Sequence, residues 1–145
     1  MVHCFEPIEN TFQILKKNVS INHVEDHVCL HNYAAGKCLE TASIAHYEIE
    51  NIGGTSLKKI PNGDIDVVPI DNLNLVGNIC LVKIDVEGFE RDVIDGMIKT
   101  IETHHPFIMI EIQNDNFSYI QEKLRSMGYY YTCLGDIDYL FFYAT

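Results

Sequence analysis

Apolar and polar positions follow two patterns along the chain, short apolar runs and longer segments with helical spacing. The apolar runs are Val2–Phe5, Val28–Leu30, Ile65–Val68, Ile79–Val86 and Phe107–Ile112. Continuous runs of this length are typical of strands buried on both faces of a parallel sheet. Charged residues and then a helical pattern follow the fourth run directly, and we expect that run to be a central, buried strand.

Three segments carry apolar residues at helical spacing. The first begins after Pro7 and extends to about Asn18, because apolar residues recur there every three or four positions. The second follows Phe89 and ends before Pro106, and the third ends at Gly128, a favourable C-terminal cap. Strand and helix patterns alternate without a repeat or a linker. This order predicts a single α/β domain over residues 1–145.

The other strand signals indicate antiparallel pairing or partial exposure. Tyr129–Cys133 and Tyr139–Ala144 flank a turn, which predicts an antiparallel edge on a mostly parallel sheet. Ile44–Glu50 alternates apolar and polar residues and is therefore expected to form a half-exposed strand.

Composition and charge narrow the classes of partner. The 145 residues carry a formal net charge of −11, so the chain lacks the basic face that nucleic-acid binding needs. No apolar run approaches the roughly 20 residues of a membrane-spanning helix, and no signal-peptide pattern is present. We expect no nucleic acid and no membrane as partners. The negative electrostatic potential of such a chain is compatible with binding a cationic or neutral small molecule.

The five cysteines form no Cys-x-x-Cys pair, and most have apolar neighbours. Such cysteines are typical of buried, reduced thiols, which predicts a cytoplasmic location. No metal site is predicted. In His23–His27 the order of acids and histidines differs from both known metalloprotease motifs, and the stretch falls between a helix and a strand.

Carboxylates cluster at the end of the run Ile79–Val86. Asp85 and Glu87 fall on one side of the chain by the two-residue period of a strand, together with Lys83. Ligands of open α/β sheets bind at the carboxyl ends of the strands, so this group could hold a substrate hydroxyl, act as a general base or bind a cation. The structural alternative is hydration of the strand end and capping of the next helix by Glu87 or Glu90.

Two further acids end apolar strands. Glu111 ends the run Phe107–Ile112 and should lie beside Asp85. Glu6 follows Val2–Phe5 and precedes a helix. In nucleotide-binding α/β folds an acid at that position accepts hydrogen bonds from ribose hydroxyls, and its alternative role is to stabilise the helix N-terminus. The loop Asn51–Ser56 contains two glycines, which allow close approach to a ligand but equally an ordinary turn.

These motifs together resemble the FkbM-type methyltransferase family. The segments that carry the resemblance, in the family's order, are Phe5-Glu6-Pro7, Ala34-Ala35-Gly36, Asn51-Ile52-Gly53-Gly54, Val67–Leu73, Lys83-Ile84-Asp85-Val86-Glu87-Gly88 and Pro106–Ile112. The resemblance covers nearly the whole chain. It implies a Rossmann-like class I methyltransferase sheet, mostly parallel with one antiparallel strand, and S-adenosylmethionine as cofactor.

The resemblance also implies a reaction and a set of site residues. The expected reaction is transfer of a methyl group to a hydroxyl oxygen of a small molecule or sugar. Glu6 would hold the cofactor ribose, and Asn51 would contribute to the cofactor site. Asp85 would lie near both the methyl donor and the acceptor, with Glu111 as the matching acid on the next strand. Asp85 and Glu111 are therefore the candidate catalytic residues, and Asp85 is also a candidate cofactor contact.

The start of the chain departs from the family pattern. The family begins with a strand and a glycine-rich cofactor loop, whereas Met1 precedes what resembles the family's second strand, so we expect an N-terminally truncated domain. Val2–Phe5 and Ile79–Val86 must then pair directly, leave a groove, or borrow a strand from another chain. The alternative function is a non-catalytic remnant or assembly module that forms a homo-oligomer through an exposed strand edge.

Overall fold

The computed structural model describes residues 1–46, 55–113 and 116–144. The helices are α1 (Glu9–Ile21), α2 (Glu90–Asp95), α3 (Ile98–His104) and α4 (Asn116–Ser126). The strands are β1 (Val2–Phe5), β2 (Val28–His31), β3 (Ala34–Ala35), β4 (Glu40–His46), β5 (Ser56–Lys59), β6 (Ile65–Val68), β7 (Leu81–Ile84), β8 (Phe107–Glu111), β9 (Tyr129–Cys133) and β10 (Asp138–Tyr143). These elements confirm the predicted α/β class.

The described strands form three sheets of mixed direction. β1 pairs with β2 in parallel. A second sheet has the order β7-β8-β10-β9, in which β7 and β8 are parallel and β10 is antiparallel to both of its neighbours. In the third, β3-β6-β4-β5, only β3 and β6 are parallel. The antiparallel edge predicted near the C-terminus is confirmed, whereas the described strands do not form one mostly parallel sheet.

Strand β7 differs from the prediction of a central strand buried on both faces. It pairs with β8 on one side, no described strand covers its other edge, and Leu81 is 61% exposed. The strand also ends at Ile84, so Asp85 lies in the segment that follows it. β1 and β7 do not pair within the described part of the chain. Direct pairing, one of the three arrangements expected for these two strands, is therefore wrong.

The main core lies between the β7-β8-β10-β9 sheet and the helices α2, α3 and α4. Ile108 and Ile110 on β8 are fully buried and pack in one cluster with Ile94 of α2. Phe107 on the opposite face of β8 is 53% exposed, as the two-residue period of a strand requires. Burying one such side chain stabilises the fold by about 1.5–3 kcal/mol, so this layer holds β8 against the helices.

The helix predicted after Phe89 is two helices, α2 and α3, with a break at Gly96. The Asp71 carboxylate accepts hydrogen bonds from the backbone nitrogens of Lys99 and Thr100, each at 2.9 Å. These amides belong to the first turn of α3, where no intrahelical acceptor is available. A carboxylate from the short 3₁₀ helix Ile70–Asn72 therefore fixes the start of a second helix, which helical spacing alone could not indicate.

The third sheet was predicted only in part. The half-exposed strand expected at Ile44–Glu50 begins earlier, at Glu40, and is described as far as His46. The rest of that prediction lies outside the described residues. β3 has two residues and β5 is the polar sequence Ser56–Lys59, so neither has an apolar pattern long enough to indicate a strand.

All five cysteines are free. Their predicted burial is wrong, since Cys38, Cys80 and Cys133 are exposed and Cys4 and Cys29 are half-buried. Within the described residues, no helix has the length and apolar character needed to cross a bilayer.

Replacing Gly96 with Ala should destabilise the protein. An added Cβ would lie 1.8 Å from the carbonyl oxygen of Gly36, and a backbone group cannot move aside as a side chain can. We expect the free energy of unfolding, measured by urea denaturation, to fall by about 3 kcal/mol. In the control Gly135→Ala the Cβ would meet the Asp138 carboxylate at 3.1 Å, and the loss should be much smaller. Equal stability of Gly96→Ala and wild type would contradict this packing.

Candidate functional site

A cavity of about 280 Å³ lies where the three sheets meet. Its wall combines the residues after β1, the first turn of α1, strands β3 and β5, and the segment after β7. Its carboxylates are those of Glu6, Asp85 and Glu87. Leu57 and Phe89 add apolar surface. The cavity thus opens at the carboxyl ends of β1 and β7, the edge at which open α/β sheets bind ligands.

Glu6 lies directly after β1 and is held by the backbone. Its amide nitrogen donates to the His31 carbonyl at 3.0 Å, and its Oε1 accepts from the Ile8 amide at 2.8 Å. Burial raises the pKa of Glu6, and the hydrogen bond from Ile8 partly offsets that effect. Oε2 accepts no hydrogen bond from a described residue. Glu6 therefore serves the start of α1 with one oxygen, and its other oxygen is unbonded among the described residues at the cavity wall.

Asp85 and Glu111 lie next to each other, as the two parallel strands predict. The register of β7 and β8 pairs Ile84 with Ile110, which places Asp85 beside Glu111. Burial and the charges of Asp85, Asp138 and Glu87 raise the pKa of Glu111. Lys83 Nζ donates to Asp85 Oδ2. Asp85 lines the cavity. Glu111 does not line it and can influence it only through its neighbour Asp85.

Two amide side chains that follow β8 in the chain bind the segment after β7. Gln113 Nε2 donates to Glu87 Oε2, and Asn116 Nδ2 donates to Glu90 Oε2 at 2.5 Å. We call these two contacts the amide clasp. Glu90 is completely buried, and its Oε1 accepts a 3.1 Å hydrogen bond from the Gly88 amide. Glu90 therefore turns inward and supports the cavity wall, rather than capping a helix.

Thr55 supplies a further polar group. Its Oγ1 is buried, belongs to a residue that lines the cavity, and has no hydrogen-bond partner among the residues described. A buried hydroxyl without a hydrogen-bond partner lowers the stability of the fold by about 1–3 kcal/mol. A ligand that bonds to this hydroxyl could remove that cost.

The structure unites some of the predicted site residues and adds others. Glu6 and Asp85 face one cavity, and Glu111 adjoins Asp85. Asn51, predicted as a cofactor contact, lies outside the described residues. The clasp residues Gln113 and Asn116 were not predicted, because an amide just after a strand or at the start of a helix is usually explained by local turn or capping hydrogen bonds. The available signal was their position directly after a strand that ends in an acid.

A family model tests the resemblance. The model of the methyltransferase FkbM domain matches residues 1–131. The chain belongs to the FkbM methyltransferase family. This FkbM domain is similar in structure to the methyltransferase FkbM from Methylobacillus flagellatus KT, with a TM-score of 0.69 and 19% sequence identity over 99% of this chain and 36% of that chain. At that identity the likeness shows the fold, and the chain spans about a third of the solved relative. No curated protein matches the chain.

Glu111→Gln should stabilise the FkbM domain at neutral pH but not in acid. The pKa of Glu111 is higher in the folded than in the unfolded state, so stability is lost as pH rises through that interval and stays lower above it. Glutamine removes this penalty, and Tm should rise by about 1–2 °C at pH 7. The gain should disappear below about pH 4, where the carboxyl is protonated in both states.

Calorimetry at several pH values measures this difference. The control is Glu102→Gln, an exposed residue of α3, which should change Tm little at any pH. A lower Tm for Glu111→Gln at pH 7, or the same gain at every pH, would contradict the arrangement of these carboxylates.

Proposed function

We propose that this domain is an S-adenosylmethionine-dependent methyltransferase that methylates a hydroxyl oxygen of a small molecule or sugar. One observation carries the proposal: a single cavity joins Glu6, at the end of β1, with Asp85, after β7. These are the two positions at which the family resemblance implies the cofactor ribose and the reacting groups. Membership of a methyltransferase family supports the same reaction class.

The chemistry of the cavity fits this cofactor. S-adenosylmethionine carries ribose hydroxyls, an ammonium group and a sulfonium group, all of which favour oxygen acceptors or negative charge. The cavity supplies the free oxygen of Glu6, the Thr55 hydroxyl and the carboxylates of Asp85 and Glu87. Its volume of about 280 Å³ is close to the lower end of the roughly 300–1,000 Å³ of small-molecule sites. A cofactor of this size would therefore extend beyond the cavity.

The roles of the side chains follow from their positions. When bound, S-adenosylmethionine supplies an electrophilic methyl group on a sulfonium sulfur. Glu6 would hold the ribose hydroxyls. Asp85, oriented by Lys83, would bind the acceptor hydroxyl and take its proton as the oxygen–carbon bond forms. Glu111, beside Asp85 in the register of β7 and β8, would be placed to share that proton. Orientation of the two reactants would supply most of the rate.

The proposal extends to the arrangement of the sheets. We propose that β2-β1 and β7-β8-β10-β9 are parts of one Rossmann-like, mostly parallel sheet. The parallel pairs β1–β2 and β7–β8, and the cavity shared by their carboxyl ends, support this. A cytoplasmic location is also proposed, and the five free cysteines support it.

Glu6→Ala should weaken the binding of S-adenosylmethionine, because ribose hydroxyls would lose a charged acceptor. Hydrogen bonds to charged groups contribute about 1.5–3 kcal/mol, so we expect the Kd to rise about 10–100-fold in titration calorimetry. The control Glu102→Ala removes an exposed acid remote from the cavity and should leave the Kd unchanged. Wild-type protein that does not bind S-adenosylmethionine would refute the proposed function, and an unchanged Kd for Glu6→Ala would refute the role of Glu6.

A further inference from the structure

Glu87 differs from Asp85 in how its charge is balanced. Both carboxylates line the cavity, but Asp85 forms an ion pair with Lys83. Within residues 1–46, 55–113 and 116–144, the only hydrogen-bond donor to the Glu87 side chain is the amide of Gln113. An amide is neutral, so it orients a carboxylate without cancelling its charge. Glu87 therefore keeps an uncompensated negative charge at the cavity.

The direction of Glu87 is fixed from both sides. Gln113 holds its Oε2, which leaves Oε1 for a ligand. The next residue, Gly88, has a φ of 84°, a conformation that favours glycine. The Gly88 amide donates to the buried carboxylate of Glu90 at 3.1 Å, and Glu90 is held in turn by Asn116. The Gly88 amide also donates to the Val86 carbonyl at 3.0 Å, so the clasp and this local backbone bond together hold the backbone after Glu87.

We propose that Glu87 is the carboxylate that binds the positively charged sulfonium end of the cofactor, and that Gln113 and Asn116 are the residues that position it. The inference rests on the methyltransferase function proposed above. It separates two roles at the end of β7: Asp85, paired with Lys83, faces the acceptor, and Glu87, held by neutral amides, supplies the charge that attracts the donor. Coulomb attraction across a partly desolvated cavity is strong enough for one such charge to matter.

Two probes test the charge dependence. S-adenosylmethionine carries the sulfonium, and S-adenosylhomocysteine has the same ribose and amino-acid groups with a neutral sulfur. In titration calorimetry, Glu87→Gln should raise the Kd for S-adenosylmethionine about tenfold and the Kd for S-adenosylhomocysteine less than about threefold. Equal losses for both probes, or no loss for either, would overturn the proposal.

Gln113→Leu tests the positioning role. It should reproduce the selective loss of affinity, and the double variant Glu87→Gln/Gln113→Leu should be no worse than Glu87→Gln, because the two side chains act as one unit. The matched control is Gln13→Leu, which removes an exposed amide–carboxylate bond to Glu9 on α1 and should bind both probes as wild type does. Additive losses in the double variant would overturn the positioning role.

The outcomes separate this inference from the proposed function. If the wild-type protein binds neither probe, both fail together. If it binds both, and Glu87→Gln binds them as well as the wild type does, the methyltransferase function stands and the role of Glu87 falls.

The clasp can also be tested without a ligand. Gln113→Leu should shift the NMR amide signal of Gly88 in the unliganded protein, and an unchanged signal would show that the clasp does not set this turn.

Discussion

The buried carboxylate of Glu90 is the interaction on which the cavity depends. It is fully buried, yet both oxygens are hydrogen-bonded, one to the Gly88 amide and one to the Asn116 side chain. A carboxylate without such partners would be very costly in this position. Because its donors come from two different segments, Glu90 forces the turn after β7 and the start of α4 to stay together. Asp85 and Glu87, which line the cavity, belong to the segment that this contact holds.

The acidic residues at this sheet edge have different electrostatic surroundings, and the differences suit different tasks. Glu6 is partly buried and accepts one backbone hydrogen bond, Asp85 is paired with Lys83, and burial and acidic neighbours raise the pKa of Glu111. Glu87 is oriented by a neutral amide. A cavity of this kind attracts cations and hydroxyl donors. It is also destabilised by its own repulsion, which is the expected compromise of a ligand site.

The sequence predicted which residues lie at the strand ends better than it predicted which strands lie side by side. Asp85 and Glu111 lie at the ends of neighbouring strands and Glu6 at the end of β1, because apolar runs ending in an acid indicate where a buried strand meets water. The apolar run around Leu81 does not say whether a second strand lies beside it, and its exposed edge was expected only from the comparison with the family pattern. The amide clasp was not predictable either. Which amide meets which carboxylate depends on the placement of β7 against β8, a contact between residues 26 positions apart.

The most direct measurement is photo-cross-linking of labelled S-adenosylmethionine to the intact protein, followed by mapping of the labelled peptides. If the cavity between the ends of β1 and β7 is the cofactor site, the label should appear in peptides containing Glu6–Thr11 and Asp85–Phe89, and excess S-adenosylhomocysteine should abolish it. Label that resists this competition, or that maps to peptides remote from both segments, would contradict the assignment of the site.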